Sequence, residues 1–210
     1  MPTQLAFASQ TQPICGIDEV GRGPLAGPVV TACVYIPEEI KHHAFWARVK
    51  DSKKLSPNIR DLLYDEILKH SHSAISIISV EEIDELNILG ATLSGMSQSC
   101  AKLLVQNIVP PEITALIDGN KLPKNLPCPA QSVVKGDNVY IEIAAASILA
   151  KVTRDRIMQN LHRNFPAYEW ERNKGYGSEK HLQALHTHGP SPHHRKSFAP
   201  VRNMLGVRDS

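Results

Sequence analysis

Short apolar runs alternate with longer amphipathic segments along this chain, and this alternation favours an α/β domain. The runs are rich in β-branched residues and have the length of buried strands. We expect strands at residues 14–18, 28–36, 74–80, 113–117 and 132–134. The glycine-rich segment between the first two strands predicts a hairpin.

Helices are predicted where apolar residues recur at helical spacing behind a capping residue. Pro57 suits the first turn of one helix, and Ser79 with Glu82 forms a capping-box pattern before another. We expect helices at residues 57–70, 83–105, 141–161 and about 178–188. The second of them is expected to be softly interrupted near Gly90 and Gly95.

The chain has no internal repeat and no obvious linker before residue 165, so a single domain is the simplest layout. Residues 14–164 are expected to form the core. Residues 165–210 are expected to form an extension that belongs to the same domain. Residues 1–13 are expected to be disordered.

The net charge of +2 conceals an asymmetry along the chain. Residues 1–150 carry a net charge of −4, and residues 151–210 carry +6 together with six of the ten histidines. A basic region beside an acidic one suggests a polyanionic ligand, although a solvated basic surface explains the charge equally well. Since no apolar run has the length of a membrane span and no signal peptide is visible, we expect a cytoplasmic protein without a membrane partner.

The four cysteines, Cys15, Cys33, Cys100 and Cys128, are far apart in the sequence and include no C-x-x-C pair. This spacing does not favour a zinc site or a redox motif. Buried thiols in a reducing compartment are the simpler interpretation.

The most informative segment contains Asp18 and Glu19, which follow an apolar run and precede Gly21-Arg22-Gly23. Acidic side chains at the end of a buried strand are costly to desolvate unless a cation compensates them, and a divalent metal ion is the usual one. Glycine lets a ligand approach the backbone closely, and arginine suits phosphate. The segment therefore suggests phosphodiester chemistry.

Two further carboxylates follow apolar runs, namely Asp118 after the fourth expected strand and Asp137 after the fifth. Strand ends of α/β proteins meet at one edge of the sheet, and four carboxylates gathered there would repel one another without cations. Mg²⁺ fits such a set, and a pair of ions suits in-line displacement at phosphorus. An aspartate beside glycine after a strand is also a common turn, and Asp155 and Glu142 are alternative members of the set.

Three loops offer groups for phosphate or sugar. They are Asp51–Lys54 with two lysines, Asn173–Ser178 with Tyr176 between two glycines, and the basic segment His193–Phe198. A tyrosine can stack on a sugar or a base, but each loop also fits an ordinary solvated surface. The glycines match neither a dinucleotide fingerprint nor a P-loop, so a nucleotide cofactor is not expected.

Together these segments resemble type 2 ribonuclease H, in particular the bacterial ribonuclease HII family. The resemblance rests on blocks in the family's order: Gly16–Val30, Asp51–Leu55, Ile117–Asn120, Lys135–Asp137, Ala145–Lys151, Gly175–Ser178 and His194–Phe198. They extend over residues 14–205, and the first and fifth blocks are long enough to be specific. Ser178 stands where threonine is common in the family, and it keeps the hydroxyl group.

The resemblance implies an α/β ribonuclease H-like fold, with a five-stranded mixed sheet flanked by helices and a C-terminal helical extension that grips the substrate. It implies an endonuclease that depends on Mg²⁺ or Mn²⁺, with two ions per site, and that hydrolyses the RNA strand of RNA–DNA hybrids. It further implies cleavage 5′ of single ribonucleotides in duplex DNA, which begins ribonucleotide excision repair and leaves 3′-hydroxyl and 5′-phosphate ends.

The resemblance also assigns roles to residues. The metal ligands and catalytic carboxylates would be Asp18, Glu19, Asp118 and Asp137. The substrate contacts would be Gly21, Arg22 and Gly23 to the 2′-hydroxyl, Tyr176 stacked on the following deoxyribose, and Lys53 and Ser147 at phosphate. We expect a monomer, and the sequence leaves open whether a replication clamp is a partner.

Three other classes of protein fit these motifs less well. Ribonuclease HIII carries an N-terminal substrate-binding domain, for which the early first motif leaves no room. A resolvase- or integrase-type nuclease on the same fold would lack the Gly-Arg-Gly and Tyr176 context. A hybrid-binding module that has lost catalysis is disfavoured because all four carboxylates are present.

Overall fold

The structure, a computed structural model, describes residues 12–49 and 56–206. Its single sheet has the strand order β3-β2-β1-β4-β5. The strands are β1 (Ile14–Val20), β2 (Val29–Tyr35), β3 (His72–Ile78), β4 (Thr114–Asp118) and β5 (Ala130–Val133). β2 pairs antiparallel with both β1 and β3, whereas β4 pairs parallel with both β1 and β5. The expected five-stranded mixed sheet and its hairpin are confirmed, with small differences at the strand ends.

Six α-helices lie within the described residues. They are α1 (Pro57–His70), α2 (Val80–Leu104), α3 (Ile141–Asn164), α4 (Trp170–Asn173), α5 (Glu179–His188) and α6 (Ala199–Met204). The capping box before α2 is confirmed, because the Ser79 hydroxyl accepts from the Glu82 N–H at 3.2 Å and the Glu82 carboxylate accepts from the Ser79 N–H at 2.9 Å.

The interruption of α2 lies at Asn87 and not at the glycines, so the expected position was wrong. Asn87 has a positive φ of 57°, and its side-chain oxygen accepts from the N–H groups of Leu89 and Gly90, which restarts the helix. Gly95 serves packing instead, since a Cβ there would lie within 3 Å of the side chains of Ile78 and Thr31.

The sheet is covered on both faces, and alternate residues of β1 point to opposite faces. Cys15 and Ile17 pack in an apolar cluster with α2. Gly16 lies against α3 so closely that a Cβ there would be 2.2 Å from the α3 backbone. Because α3 is rich in buried alanines at this contact, the helix can lie directly on the central strand and bring its side chains to the end of that strand.

The C-terminal segment packs on the loop between β1 and β2. Ala26 and His194 form an isolated β-bridge, and the Leu25 N–H donates to the Gly175 carbonyl at 2.8 Å. At the other end of the described chain, the Pro13 carbonyl accepts from the N–H of Thr114 on β4 at 2.9 Å. The expectation of disorder over residues 1–13 otherwise falls on residues outside the described part.

Candidate active site

The two central parallel strands bring Asp18 and Asp118 to one edge of the sheet. Ile17 on β1 pairs with Ile117 on β4, and an aspartate follows directly on each strand. Parallel strands present their carboxyl ends at the same edge, where α/β proteins keep their ligands. Asp18 is almost fully buried, and Asp118 is half-buried.

Asp137 reaches the same edge through the turn after β5. Asp118 pairs with Val133 on that strand, and the N–H of Gly136 donates to the Oδ1 atom of Asp118 at 2.7 Å. Asp137 follows in a short 3-10 turn, where it is buried and accepts a hydrogen bond from the Asn138 side chain at 2.9 Å. Asp137 is therefore adjacent in the chain to the peptide group that holds Asp118.

Glu19 completes a group of mutually repelling carboxylates. Burial raises the pKa of Asp18 well above its ordinary value, and the negative charges of Glu19 and Asp118 raise it further. Burial also raises the pKa of Glu19, against the opposing effect of Arg22, whose guanidinium lies 3.4 Å from the Oε1 atom of Glu19. A cation at this edge would lower both pKa values, because it favours the charged forms.

The donor set fits a hard divalent cation. All the candidate donors are carboxylate oxygens, and the buried Oε2 atom of Glu19 has no hydrogen-bond partner. In the described part of the chain, three potential ligand atoms within 4.8 Å of one another occur only among cysteines, so the carboxylates form an open group and not a closed cage. An open group suits an ion that keeps waters and binds substrate oxygens.

Ser147 on α3 lies against Asp18. The close approach of α3 to Gly16 places this buried serine at the end of β1, where its side chain hydrogen-bonds to Asp18 and lowers the pKa of that carboxyl. The sequence suggested Ser147 only as a phosphate contact. Its contact with Asp18 was missed because the helix and the strand are far apart in the sequence.

A buried arginine shapes the Gly21–Gly23 turn. The guanidinium of Arg195 is fully buried and donates to the carbonyls of Gly21, Arg22 and Gly27 at 2.5–3.0 Å. The C=O and N–H groups of a trans peptide point in opposite directions. The N–H groups of Arg22 and Gly23 are therefore directed away from Arg195, on a turn whose second and third residues are exposed.

A second buried arginine, Arg154 on α3, fastens the same loop to the segment before α5. It donates to the carbonyls of Ala26, Pro28 and Lys174 at 2.9–3.0 Å. Gly21 packs against it with a φ of 97°, and a Cβ there would lie 2.3 Å from the Arg154 side chain, so only glycine fits. Burial lowers the pKa of Arg154 to about 10, and the guanidinium stays charged at neutral pH.

The structure places the charged residues whose roles the sequence left open. Asp155, the alternative carboxylate, forms an ion pair with Lys151 at 2.8 Å. In the segment His193–Phe198, both His194 and Arg195 are buried, so they contact neither phosphate nor solvent. Basic residues look like surface residues in a sequence when their partners are backbone carbonyls, because carbonyls leave no pattern in the side chains.

Tyr176 lies directly beside the Gly21–Gly23 turn. Its ring is half exposed, and a Cβ on Gly23 would lie 3.3 Å from the Cε1 atom of the ring. The Tyr176 carbonyl accepts from the Nδ1 atom of His181 at 2.8 Å, which fixes the loop from behind. The structure thus brings together the two segments that the sequence suggested as contacts to neighbouring sugars.

The other candidates are placed as follows. Glu142 is buried and its carboxylate pairs with Lys41 at 3.5 Å, so its charge is engaged in a separate ion pair. Lys53, with the rest of segment 51–54, lies outside the described residues. Ser178 caps α5 by accepting from the His181 N–H at 3.3 Å.

The family comparison agrees with this geometry, since the family model described as Ribonuclease HII matches residues 15–201. The chain belongs to the ribonuclease HII family. Ribonuclease HII enzymes cleave the RNA strand of RNA–DNA hybrids, so the protein is an endoribonuclease that acts on such hybrids. The resemblance noted in the sequence is thereby confirmed.

Curated relatives match most of this ribonuclease HII. It is 51% identical to ribonuclease HII of Rhodospirillum rubrum over 194 residues, which cover 91% of this chain and 86% of the relative. It is 47% identical to ribonuclease HII of Magnetococcus marinus over 192 residues, which cover 91% and 87% of the two chains.

Solved structures confirm the ribonuclease H-like fold. Ribonuclease H2 from Pyrococcus horikoshii has a TM-score of 0.74 and 24% identity, covering 93% of this chain and 98% of that chain. Ribonuclease HII from Archaeoglobus fulgidus, solved in complex with PCNA, has a TM-score of 0.70 and 27% identity over 91% and 96%. Bst ribonuclease HIII in complex with Mn²⁺ has a TM-score of 0.72 and 21% identity over 93% and 70%. In the part of this chain that the structure describes, no helix is long and apolar enough to cross a membrane.

Proposed function

We propose that this ribonuclease HII cuts 5′ of single ribonucleotides embedded in duplex DNA as well as within the RNA strand of hybrids. The products would carry 3′-hydroxyl and 5′-phosphate ends. The observation that supports the proposal most is the position of the Gly21–Gly23 turn, directly after the strand that carries Asp18 and Glu19, with the half-exposed ring of Tyr176 beside Gly23. Selection of one ribose requires a contact to its 2′-hydroxyl close to the bond that is cut.

Divalent ions would be held by Asp18, Glu19, Asp118 and Asp137. The Mn²⁺ complex of Bst ribonuclease HIII supports an ion of the Mg²⁺ or Mn²⁺ class. A bound pair of such ions would stabilise the negative charge on the attacking and leaving oxygens. The chain itself orients the carboxylates, because Ser147 engages Asp18 and the Gly136 N–H engages one oxygen of Asp118.

The Gly21–Gly23 turn would recognise the ribose. Its outward N–H groups on Arg22 and Gly23 can hydrogen-bond to a 2′-hydroxyl, and the missing side chain of Gly23 leaves room for the sugar next to Tyr176. The tyrosine ring would stack on the following sugar, where a second 2′-hydroxyl would crowd it. A junction from RNA to DNA would therefore fit this surface better than continuous RNA.

Further partners stay predictions for this chain. The PCNA complex is a property of the Archaeoglobus fulgidus protein and makes a replication clamp worth testing here. The monomeric state and the cytoplasmic location are likewise expectations, and so are the phosphate contacts of Lys53 and Ser147.

The test uses a duplex with one ribonucleotide and a matched long hybrid, each with Mg²⁺ or Mn²⁺. Asp118→Asn keeps the size of the side chain and an oxygen that can accept from Gly136, but it removes the charge. We expect cleavage to fall by roughly 10²–10⁴-fold, equivalent to several kcal/mol of lost charge stabilisation. Asp18→Asn should behave alike, and hybrid binding without metal should be largely spared in both.

Asp155→Asn is the matched control, because Asp155 is the rival carboxylate and is engaged by Lys151 one helical turn away. Its activity should stay within about twofold of the unaltered protein, because an i,i+4 helix pair contributes only about 0.3–0.5 kcal/mol. Full turnover by Asp118→Asn would remove that residue from the mechanism. Binding of the single-ribonucleotide duplex without cleavage, alongside cleavage of the long hybrid, would refute the embedded-ribonucleotide activity alone.

A further inference from the structure

The four cysteines meet in space, although they are scattered along the chain. Cys15 on β1 and Cys33 on β2 are diagonal neighbours on the face that α2 covers, since Cys15 pairs with Tyr35 and Ile17 with Cys33. Cys100 comes from α2, and the sulfur atoms of these three residues all lie within 4.8 Å of one another. Cys128, in the loop before β5, places its sulfur 3.7 Å from that of Cys100. All four are free thiols.

Thiols that act only as small apolar side chains would be the simplest explanation of this group. Van der Waals contact alone can bring two sulfur atoms to 3.7 Å, but it does not gather four thiols from separate elements. Every cysteine of the chain contributes to one group, from two strands, one helix and one loop.

The size of the group fits a tetrahedral ion. With metal–sulfur bonds of about 2.3 Å, the edge of a four-sulfur tetrahedron is about 3.8 Å. The Cys100–Cys128 separation of 3.7 Å matches this edge, and the sulfurs of Cys15, Cys33 and Cys100, all within 4.8 Å of one another, are about 1 Å or less beyond it. Three of the residues are fully buried and Cys128 is half-buried, so the loop before β5 provides an entry path.

We propose that Cys15, Cys33, Cys100 and Cys128 form a four-thiolate site for one soft metal ion of the Zn²⁺ class. Thiolate ligands select such ions, whereas Mg²⁺ and Mn²⁺ prefer carboxylates. The two candidate sites of this protein would therefore bind different metals. They lie on opposite faces of the sheet, because Cys15 points to α2 and Asp18 points to Ser147 on α3.

Zn²⁺ is bound by thiolates, so all four thiols must lose their protons when the ion binds. Binding of the ion would release the thiol protons to solvent, so the affinity should increase with pH. The bound ion would link β1, β2, α2 and the loop before β5, and would stabilise the folded state.

Reduced, metal-free full-length protein would be titrated with Co²⁺ as a spectroscopic probe, and then with Zn²⁺ as a competitor. We expect one Co²⁺ per chain with sulfur-to-cobalt charge-transfer absorption, and its loss when Zn²⁺ displaces the probe. At a hundredfold excess over the dissociation constant, Zn²⁺ should raise the thermal midpoint by roughly 5–10 °C. Neither readout uses nuclease activity, so the outcome is independent of the proposed function.

Variants separate this site from the carboxylates. Cys100→Ser should abolish the charge-transfer absorption, and Cys128→Ser should weaken Co²⁺ binding at least tenfold while its half-exposed position preserves the fold. Asp118→Asn is the control and should leave the absorption unchanged. Folded, reduced protein without this absorption would overturn the proposal. So would a Cys100–Cys128 disulfide that forms in air in a protein whose reduced form binds neither Co²⁺ nor Zn²⁺.

Discussion

Replacing Arg195 by lysine tests whether this arginine holds the Gly21–Gly23 turn, for which we propose a contact to the ribose. The arginine offers three nitrogen atoms to the carbonyls of Gly21, Arg22 and Gly27, and its guanidinium also lies 5.0 Å from the ring centre of Phe198. Lysine keeps the positive charge but has one compact ammonium group. It can satisfy one of the three carbonyls well and leaves the other two without a charged donor.

The cost follows from the lost hydrogen bonds. A hydrogen bond to a charged group contributes about 1.5–3 kcal/mol, so the loss of two corresponds to about 3–6 kcal/mol. That is a large part of the 5–15 kcal/mol by which domains are usually stable. In a protein of this size each kcal/mol shifts the thermal midpoint by about 2–4 °C, and we expect Arg195→Lys to lower it by about 6–24 °C.

Two measurements separate the local effect from the global one. Calorimetry gives the midpoint, and cleavage assays well below it compare kcat/KM for a single-ribonucleotide duplex with kcat/KM for a long hybrid. A distorted turn should reduce the first value more than the second. Arg156→Lys is the control, because Arg156 is exposed and forms a surface pair with Asp61, worth under about 1 kcal/mol. If the two variants share the same midpoint and the same substrate ratio, Arg195 does not hold the turn.

Three other perturbations probe the packing and the site. Gly16→Ala should destabilise the protein by about 1–3 kcal/mol or more in urea unfolding, because its Cβ would lie 2.2 Å from the α3 backbone. Gly90→Ala inside α2 is the control and should change the stability by less than about 1 kcal/mol. Equal urea midpoints for the two variants would contradict the close approach of α3 to β1. Tyr176→Ala should reduce cleavage of single-ribonucleotide duplexes more than that of long hybrids, and an equal loss on both would exclude a junction-sensing role. The pKa of His194 is lowered to about 4, mainly by burial. The contribution of neutral His194 to the free energy of unfolding should therefore be complete above pH 6.5 and should decrease by up to about 3 kcal/mol as the pH falls from 6.5 towards 4. Urea unfolding of the unaltered protein and of His194→Gln at pH 7 and pH 5 measures this loss of stability. If the stability of both proteins changes equally between the two pH values, His194 does not cause the loss.

Much of the architecture was predictable from the apolar pattern. Strands that are buried on both faces appear as short continuous apolar runs, and all five runs became strands of the sheet. The start of α1 at Pro57 and the cap of α2 were equally visible, since Ser79 and Glu82 act through local hydrogen bonds. Asp18 and Asp118 were predictable because each carboxylate directly follows an apolar run. This position in the sequence places both residues at strand ends.

The features that escaped prediction depend on contacts between distant segments. Arg154 and Arg195 bind backbone carbonyls of distant loops. The cysteines converge because of the strand register and the packing of α2 on the sheet. The Asn87 kink depends on one side chain that restarts the helix, whereas the nearby glycines seemed the better breakers. No local pattern distinguishes these cases from an exposed arginine, a core thiol or an ordinary helical asparagine.

The register of β1 separates the carboxylates from the cysteines on opposite faces of the sheet. Successive residues of a strand face opposite sides, so the register that turns Cys15 and Ile17 to α2 also turns Gly16 and Asp18 to α3. A shift by one residue would place the Asp18 carboxylate among the apolar side chains under α2 and Ile17 against Ser147. A buried, unpaired charge costs several kcal/mol, and a side chain in place of Gly16 would collide with the α3 backbone. The absence of a Cβ at Gly16 thus fixes the side of the sheet to which Asp18 points.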